Sequence, residues 1–160
     1  MKKLILFSIV AFISATSFSQ DKGGGTSFNV GLETGLPTGD FNKAQNIGFG
    51  LSAKAILSSG MTGSIGYLTY SGKNGNPAFN TIPLKAGYRI KTEGGFYFEP
   101  QVGVTFMSSQ GESMNAFTWA PNVGLTSNSL DISVRYENIS QSGESIAFLG
   151  LRVAYAFGSK

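Results

Sequence analysis

Three features of the sequence predict an all-β protein, an eight-stranded antiparallel up-and-down transmembrane β-barrel. Eight stretches of about ten residues alternate large apolar side chains with small or polar ones, and that length suits a tilted strand crossing a bilayer. The connectors alternate between longer and tighter segments, as expected when the two rims of a barrel differ. The chain also opens on an export-type segment.

Residues 1–19 read as a signal peptide. Met1-Lys2-Lys3 is the positive start, Leu4 to Ile13 the apolar run, and Ser17 and Ser19 the small residues that favour cleavage before Gln20. A permanent membrane helix needs about 20 apolar residues, roughly twice this run. Residues 20–26 form a flexible leader. Its Gly23-Gly24-Gly25 is not followed by a helix and so is no phosphate loop. The barrel is expected over 27–157, with a short tail at 158–160.

The first strand, Ser27 to Leu36, sets Phe28, Val30, Leu32 and Leu36 against Asn29, Gly31, Glu33 and Gly35. The second, Ile47 to Leu57, sets Ile47, Phe49, Leu51 and Leu57 against Gly48, Gly50, Ser52 and Lys54, with Ile56 as an exception. The third, Met61 to Tyr70, is the least regular, because Leu68 and Tyr70 share the parity of Ser64 and Gly66. The fourth, Thr81 to Ile90, opposes Ile82, Leu84 and Tyr88 to Lys85, Gly87 and Arg89. The fifth, Gly95 to Phe106, opposes Phe96, Phe98, Val102 and Phe106 to Tyr97, Glu99, Gln101 and Gly103.

The sixth, Phe117 to Thr126, carries Trp119 and Val123 opposite Thr118, Asn122 and Gly124. The seventh, Leu130 to Asn138, opposes Ile132, Val134 and Tyr136 to Asp131, Ser133, Arg135 and Glu137. The eighth, Ser145 to Phe157, ends with Leu149, Leu151, Val153, Tyr155 and Phe157 opposite Gly150, Arg152 and Ala154. Longer connectors are expected at 37–46, 71–80, 107–116 and 139–144, and tight turns at 58–60, 91–94 and 127–129. Pro100 and Pro121 have outward parity and cannot donate to a ladder, which predicts a bulge or locally broken pairing at each.

Composition bounds the function. The formal charge of +3 falls to +1 once Lys2 and Lys3 leave with the signal, and no basic cluster points to nucleic acid. The absence of Cys excludes a disulfide framework and a lipid-attachment cysteine. The absence of His removes the commonest proton shuttle and metal ligand, so no Ser-His triad can be built. Asp131 and Glu137 form a conceivable acid/base pair, but Arg135 between them points to a salt-bridge network instead. Asp40, Glu112 and Glu144 fall in separate loops and read as solvated charges. No cofactor, metal site or enzymatic activity is expected.

Alternation alone does not separate a membrane barrel from a lipocalin-like soluble barrel, which turns its apolar face inward. The polar face argues for the membrane barrel. It is rich in glycine, suiting a crowded interior, and it holds every strand charge: Glu33, Lys54, Lys85, Arg89, Glu99, Asp131, Arg135, Glu137 and Arg152. In a narrow lumen these must pair, with Arg89 meeting Glu99, and Arg152 meeting Glu33 or Asp131. Outward aromatics near strand ends (Phe28, Tyr88, Phe96, Phe106, Phe117, Tyr136, Tyr155, Phe157) fit interfacial girdles.

The chain resembles the small outer-membrane β-barrel family of the OmpX/Ail or OmpA-transmembrane type. The likeness rests on Gly31-Leu32-Glu33-Thr34-Gly35-Leu36-Pro37-Thr38-Gly39-Asp40-Phe41, on Gly48-Phe49-Gly50, on Phe96-Tyr97-Phe98-Glu99-Pro100-Gln101-Val102-Gly103, and on the closing Gly150-Leu151-Arg152-Val153-Ala154-Tyr155-Ala156-Phe157. It implies a non-enzymatic protein of the Gram-negative outer membrane, in contact with lipid and lipopolysaccharide, with an envelope-structural role or a surface role through its loops. It also implies that the last strand is read by the barrel-assembly machinery, with Gly150, Val153, Tyr155 and Phe157 as the signal. The tail Gly158-Ser159-Lys160 departs from the family habit of ending on the aromatic. A soluble lipocalin-like barrel holding an apolar ligand and a narrow ion-conducting porin are the alternative readings.

Overall fold

The computed structural model describes residues 25–141 and 143–157. The expected signal peptide, most of the leader and the tail lie outside the described residues. Nine strand segments run in chain order: β1 (Ser27–Thr38), β2 (Gln45–Ile56), β3 (Met61–Gly72), β4 (Phe79–Tyr88), β5 (Ile90–Lys91), β6 (Phe96–Ser109), β7 (Glu112–Ser127), β8 (Leu130–Gln141) and β9 (Glu144–Phe157). One helical turn, α1 (Phe41–Ala44), follows β1. Each strand pairs antiparallel with its neighbours, and β4 and β5 succeed each other along β6, so the nine segments make eight staves. Pairing of β1 with β9, from Phe28↔Phe157 to Thr38↔Ala147, closes the barrel.

Side-chain parity explains the closure. Val30, Leu32, Phe49, Leu51, Phe96, Val123, Leu151 and Tyr155 are exposed on the outside, while Asn29, Glu33, Lys54, Glu99, Asp131 and Arg152 are buried within. Gly31, Gly50 and Gly103 let neighbouring backbones approach, since a Cβ at each would strike main-chain atoms of the adjacent strand. Of the girdle aromatics, Phe28 is only half-exposed and the other seven are exposed.

The prolines break pairing without a bulge. Pro100 and Pro121 face each other across β6 and β7, so each missing N–H falls on the strand's other edge. There the ladders lapse, at Ala120 and Pro121 against β8 and at Pro100 between β4 and β5, and the register resumes unshifted beyond each gap. The one register shift described is in β2, between Gln45 and Gly48.

Two expectations need correction. Residues 107–116 are not a long connector: β6 and β7 continue to Ser109 and Glu112, joined by Gln110-Gly111. Gln110 at φ +51° and Gly111 at φ +88° supply the left-handed conformations of a two-residue hairpin turn, so the polar stretch stays paired. Likewise 139–144 is mostly strand, with β8 reaching Gln141 and β9 starting at Glu144. The rim away from the chain ends therefore has six-residue links only at 39–44 and 73–78.

Candidate functional site

The interior charges form one chain. Lys54 Nζ lies 2.7 Å from Glu99 Oε1, and Arg89 Nε lies 2.5 Å from Glu99 Oε2. Arg89 Nη1 continues to Asp131 Oδ2 at 2.7 Å, and Arg152 Nη1 meets Asp131 Oδ1 at 3.4 Å. Arg152 Nε is 3.3 Å from Glu33 Oε1, whose other oxygen takes Arg135 Nη2 at 2.7 Å. Arg135 Nε then reaches Glu137 Oε2 at 2.6 Å, and Lys85 Nζ meets the same oxygen at 2.5 Å. Signs alternate along the whole path, which starts and ends in lysine.

The network forms because alternate residues of each strand point inward. Arg152 sits at the seam, in register with Glu33 on β1 and Ser133 on β8, and also donates to Ser52 Oγ and Asn29 Oδ1, each at 2.7 Å. Each carboxylate has two cationic partners, and all nine side chains are at most 5% exposed. At that depth an unpaired charge is strongly unfavourable, and mutual pairing is what makes the burial tolerable. Tyr97 was absent from the charge-only reading, yet it donates to Asp131 Oδ1 at 2.9 Å while Arg89 stacks 3.6 Å over its ring. Its inward parity beside Glu99 was the available signal.

A second layer fills the barrel nearer the rim formed by 39–44 and 73–78. Phe41, Leu68, Tyr70, Met107, Ala116, Ile139 and Phe148 are buried together, with Phe79 and Ile146 against them. Phe41 drops in from α1 and meets Tyr70 and Phe79 edge-on at centroid distances of 5.3 and 5.4 Å. Tyr70 lies flat over Gly35 and Gly48, where any Cβ would collide with its ring. Alternation alone does not reveal this plug, because Leu68 and Tyr70 share the parity of Ser64 and Gly66. Above it, Lys73 Nζ donates to Asn42 O at 2.6 Å and Asn42 Oδ1 at 2.8 Å, tying the two links together.

On β9, Gly150 is buried and Val153, Tyr155 and Phe157 face outward, the last two rings meeting at 4.9 Å. Among the described residues no three acidic groups are placed to hold a metal ion. A void of about 10 Å³ lies inside, bordered by Glu33, Lys54, Ser64, Lys85, Arg135 and Arg152 among others.

No protein-family model matches the chain, and no curated protein matches its sequence. Solved structures do match. The N-terminal β-barrel domain of Pseudomonas aeruginosa OprF superposes with a TM-score of 0.68 at 14% identity, over 84% of this chain and 100% of that one. The attachment invasion locus protein Ail of Yersinia pestis gives 0.56 at 14% identity, over 82% and 97%. Neisserial surface protein A gives 0.57 at 12% identity, over 84% and 98%. With nearly the whole of each neighbour covered, this chain has the fold of the small eight-stranded outer-membrane β-barrels.

Proposed function

We propose that this protein is a non-enzymatic, integral barrel of the outer membrane, exported by a cleaved signal, with a closed interior and an envelope-structural role. One observation carries the reading. Large apolar side chains such as Leu32, 68% exposed, and Phe96, 64% exposed, cover the outside, while nine charged side chains are buried inside. An apolar belt this continuous is incompatible with water and suited to lipid. The strands, most of them 10 to 16 residues long, reach or exceed the roughly 9–11 residues a tilted strand needs to span.

The interior supports closure. A ligand pocket typically has about 300–1,000 Å³, and the void among the charged side chains is about 10 Å³, too small for a lipocalin-like ligand at that level. Ion pairs and the aromatic plug in series argue against a standing ion path. Carboxylates paired twice with cations and shut from solvent are out of a substrate's reach. The short rim connections favour a structural role over recognition by long loops. Lipid and lipopolysaccharide are the surroundings in this reading, and the barrel-assembly machinery reads Gly150, Val153, Tyr155 and Phe157 on the final strand.

Membrane fractionation with gels run on heated and unheated samples tests it. The expected result is an outer-membrane band that migrates faster when unheated. A soluble periplasmic band with no heat-dependent shift overturns the proposal, and steady conductance of folded protein in planar bilayers overturns the closed interior.

A further inference from the structure

The alternating chain of charges does not balance. It contains five cations, Lys54, Lys85, Arg89, Arg135 and Arg152, and four anions, Glu33, Glu99, Asp131 and Glu137. Both chain ends are lysines, each with a single carboxylate partner. The ends come back to the same place. Lys54 on β2 is in register with Ser64 on β3, and Ser64 with Lys85 on β4. All three have inward parity, and all three border the internal void. Ser64 Oγ is buried there with no hydrogen-bond partner, so a hydroxyl is left unused on the strand between those of the two lysines.

We infer that this void is a binding site for one small monovalent anion, chloride under ordinary conditions, held between Lys54 and Lys85 with Ser64 donating to it. The anion supplies the missing fifth negative charge and turns the open chain of nine charges into a closed ring of ten. About 10 Å³ of free space suits a single water-sized particle, and the flexible lysine stems let the walls adjust to a halide. A buried unpaired positive charge is unfavourable, and the placement of both lysines around one void localises the site. Glu33 is the one carboxylate on its border, and Arg135 and Arg152 there both already pair with it.

Crystals of the full folded barrel grown with sodium bromide in place of chloride test this by anomalous scattering. The expected result is one bromide peak within contact of Lys54 Nζ, Ser64 Oγ and Lys85 Nζ, absent in Lys85→Met, which leaves four cations against four anions. Thermal unfolding in bromide and in gluconate at equal ionic strength gives a second readout. Wild type should melt higher in bromide, and Lys85→Met should melt alike in both salts. If Lys85→Met fails to show the heat-shifted folded band, Ser64→Ala replaces it, with a weakened peak expected. A void in the wild type that holds water or nothing, as when one lysine is simply neutral, overturns the proposal. So does a peak that survives Lys85→Met, or a wild type indifferent to the salt.

Discussion

From Glu99 to Arg135 the interior of the barrel is filled by ion pairs, whereas from Leu68 to Phe148 it is filled by apolar and aromatic side chains. Both layers lie inside the same staves and use the same inward parity. They differ in what a single loss does. An apolar layer that loses a side chain keeps a smaller version of the same interaction, because neighbours relax partway into the space. A charge network that loses a member leaves its partners as unpaired ions far from water. The charged layer therefore acts as an all-or-none lock, and the apolar plug yields by degrees.

Removing an anion from the middle of the network should have the largest effect. Glu99→Leu leaves both Lys54 and Arg89 short of a partner, and a loss of about 3–5 kcal/mol is expected. Urea unfolding in lipid vesicles, followed through Trp119, the only tryptophan, measures it. A loss no greater than that of the plug variants would erase the distinction between the layers. In the plug, Tyr70→Ala should cost about 3 kcal/mol by opening a cavity. Tyr70→Phe sharpens the comparison from the opposite side. Its Oη is buried without a partner, so deleting the hydroxyl should be neutral or slightly stabilising in the same titration.

Phe41→Ala should come next, at about 1–2 kcal/mol from lost edge-on ring contacts, with the heat-shifted gel band retained. Smallest of all is the fully exposed Asp40–Lys43 pair in the rim. Lys43, 2.7 Å away, holds the Asp40 carboxyl below the usual range. A lowered folded value means that any stabilisation is present at neutral pH and fades as the carboxylate protonates in acid. Solvent screens it, so Asp40→Asn should leave the melting temperature at pH 7 unchanged. An NMR titration of Asp40 should move up towards the ordinary value in Lys43→Met.

Much of the fold was legible because period-2 alternation reports directly on which side of a sheet a residue faces. The charge-bearing parity of all the strands could be read, and with it the set of nine buried charges. Their partners beyond the nearest strands could not. Lys54 meets Glu99 and Lys85 meets Glu137 across the interior, and those distances depend on barrel shear and on long side chains bending along the axis. The plug was hidden for another reason. Leu68, Tyr70, Ile139 and Phe148 lie on the charged parity near one rim, so a rule that assigns faces by hydrophobicity reads them as noise. The extent of β6 and β7 was missed because Gln at a left-handed turn position carries none of the usual Asn-Gly or Asp-Gly signal.

Closure by β1 and β9 also sets the order of events in biogenesis. Phe28 pairs with Phe157, a contact spanning almost the entire barrel sequence, so no closed form can exist until the final strand has been made. Loop-closure entropy delays such long-range pairings, and folding slows with them. Until the seam forms, the N–H and C=O groups that Ser27–Thr38 and Glu144–Phe157 share there lack each other as partners. Such edges invite pairing with a neighbouring copy. The seam that gives the finished barrel its permanence makes the unfinished chain dependent on being kept apart from its own kind.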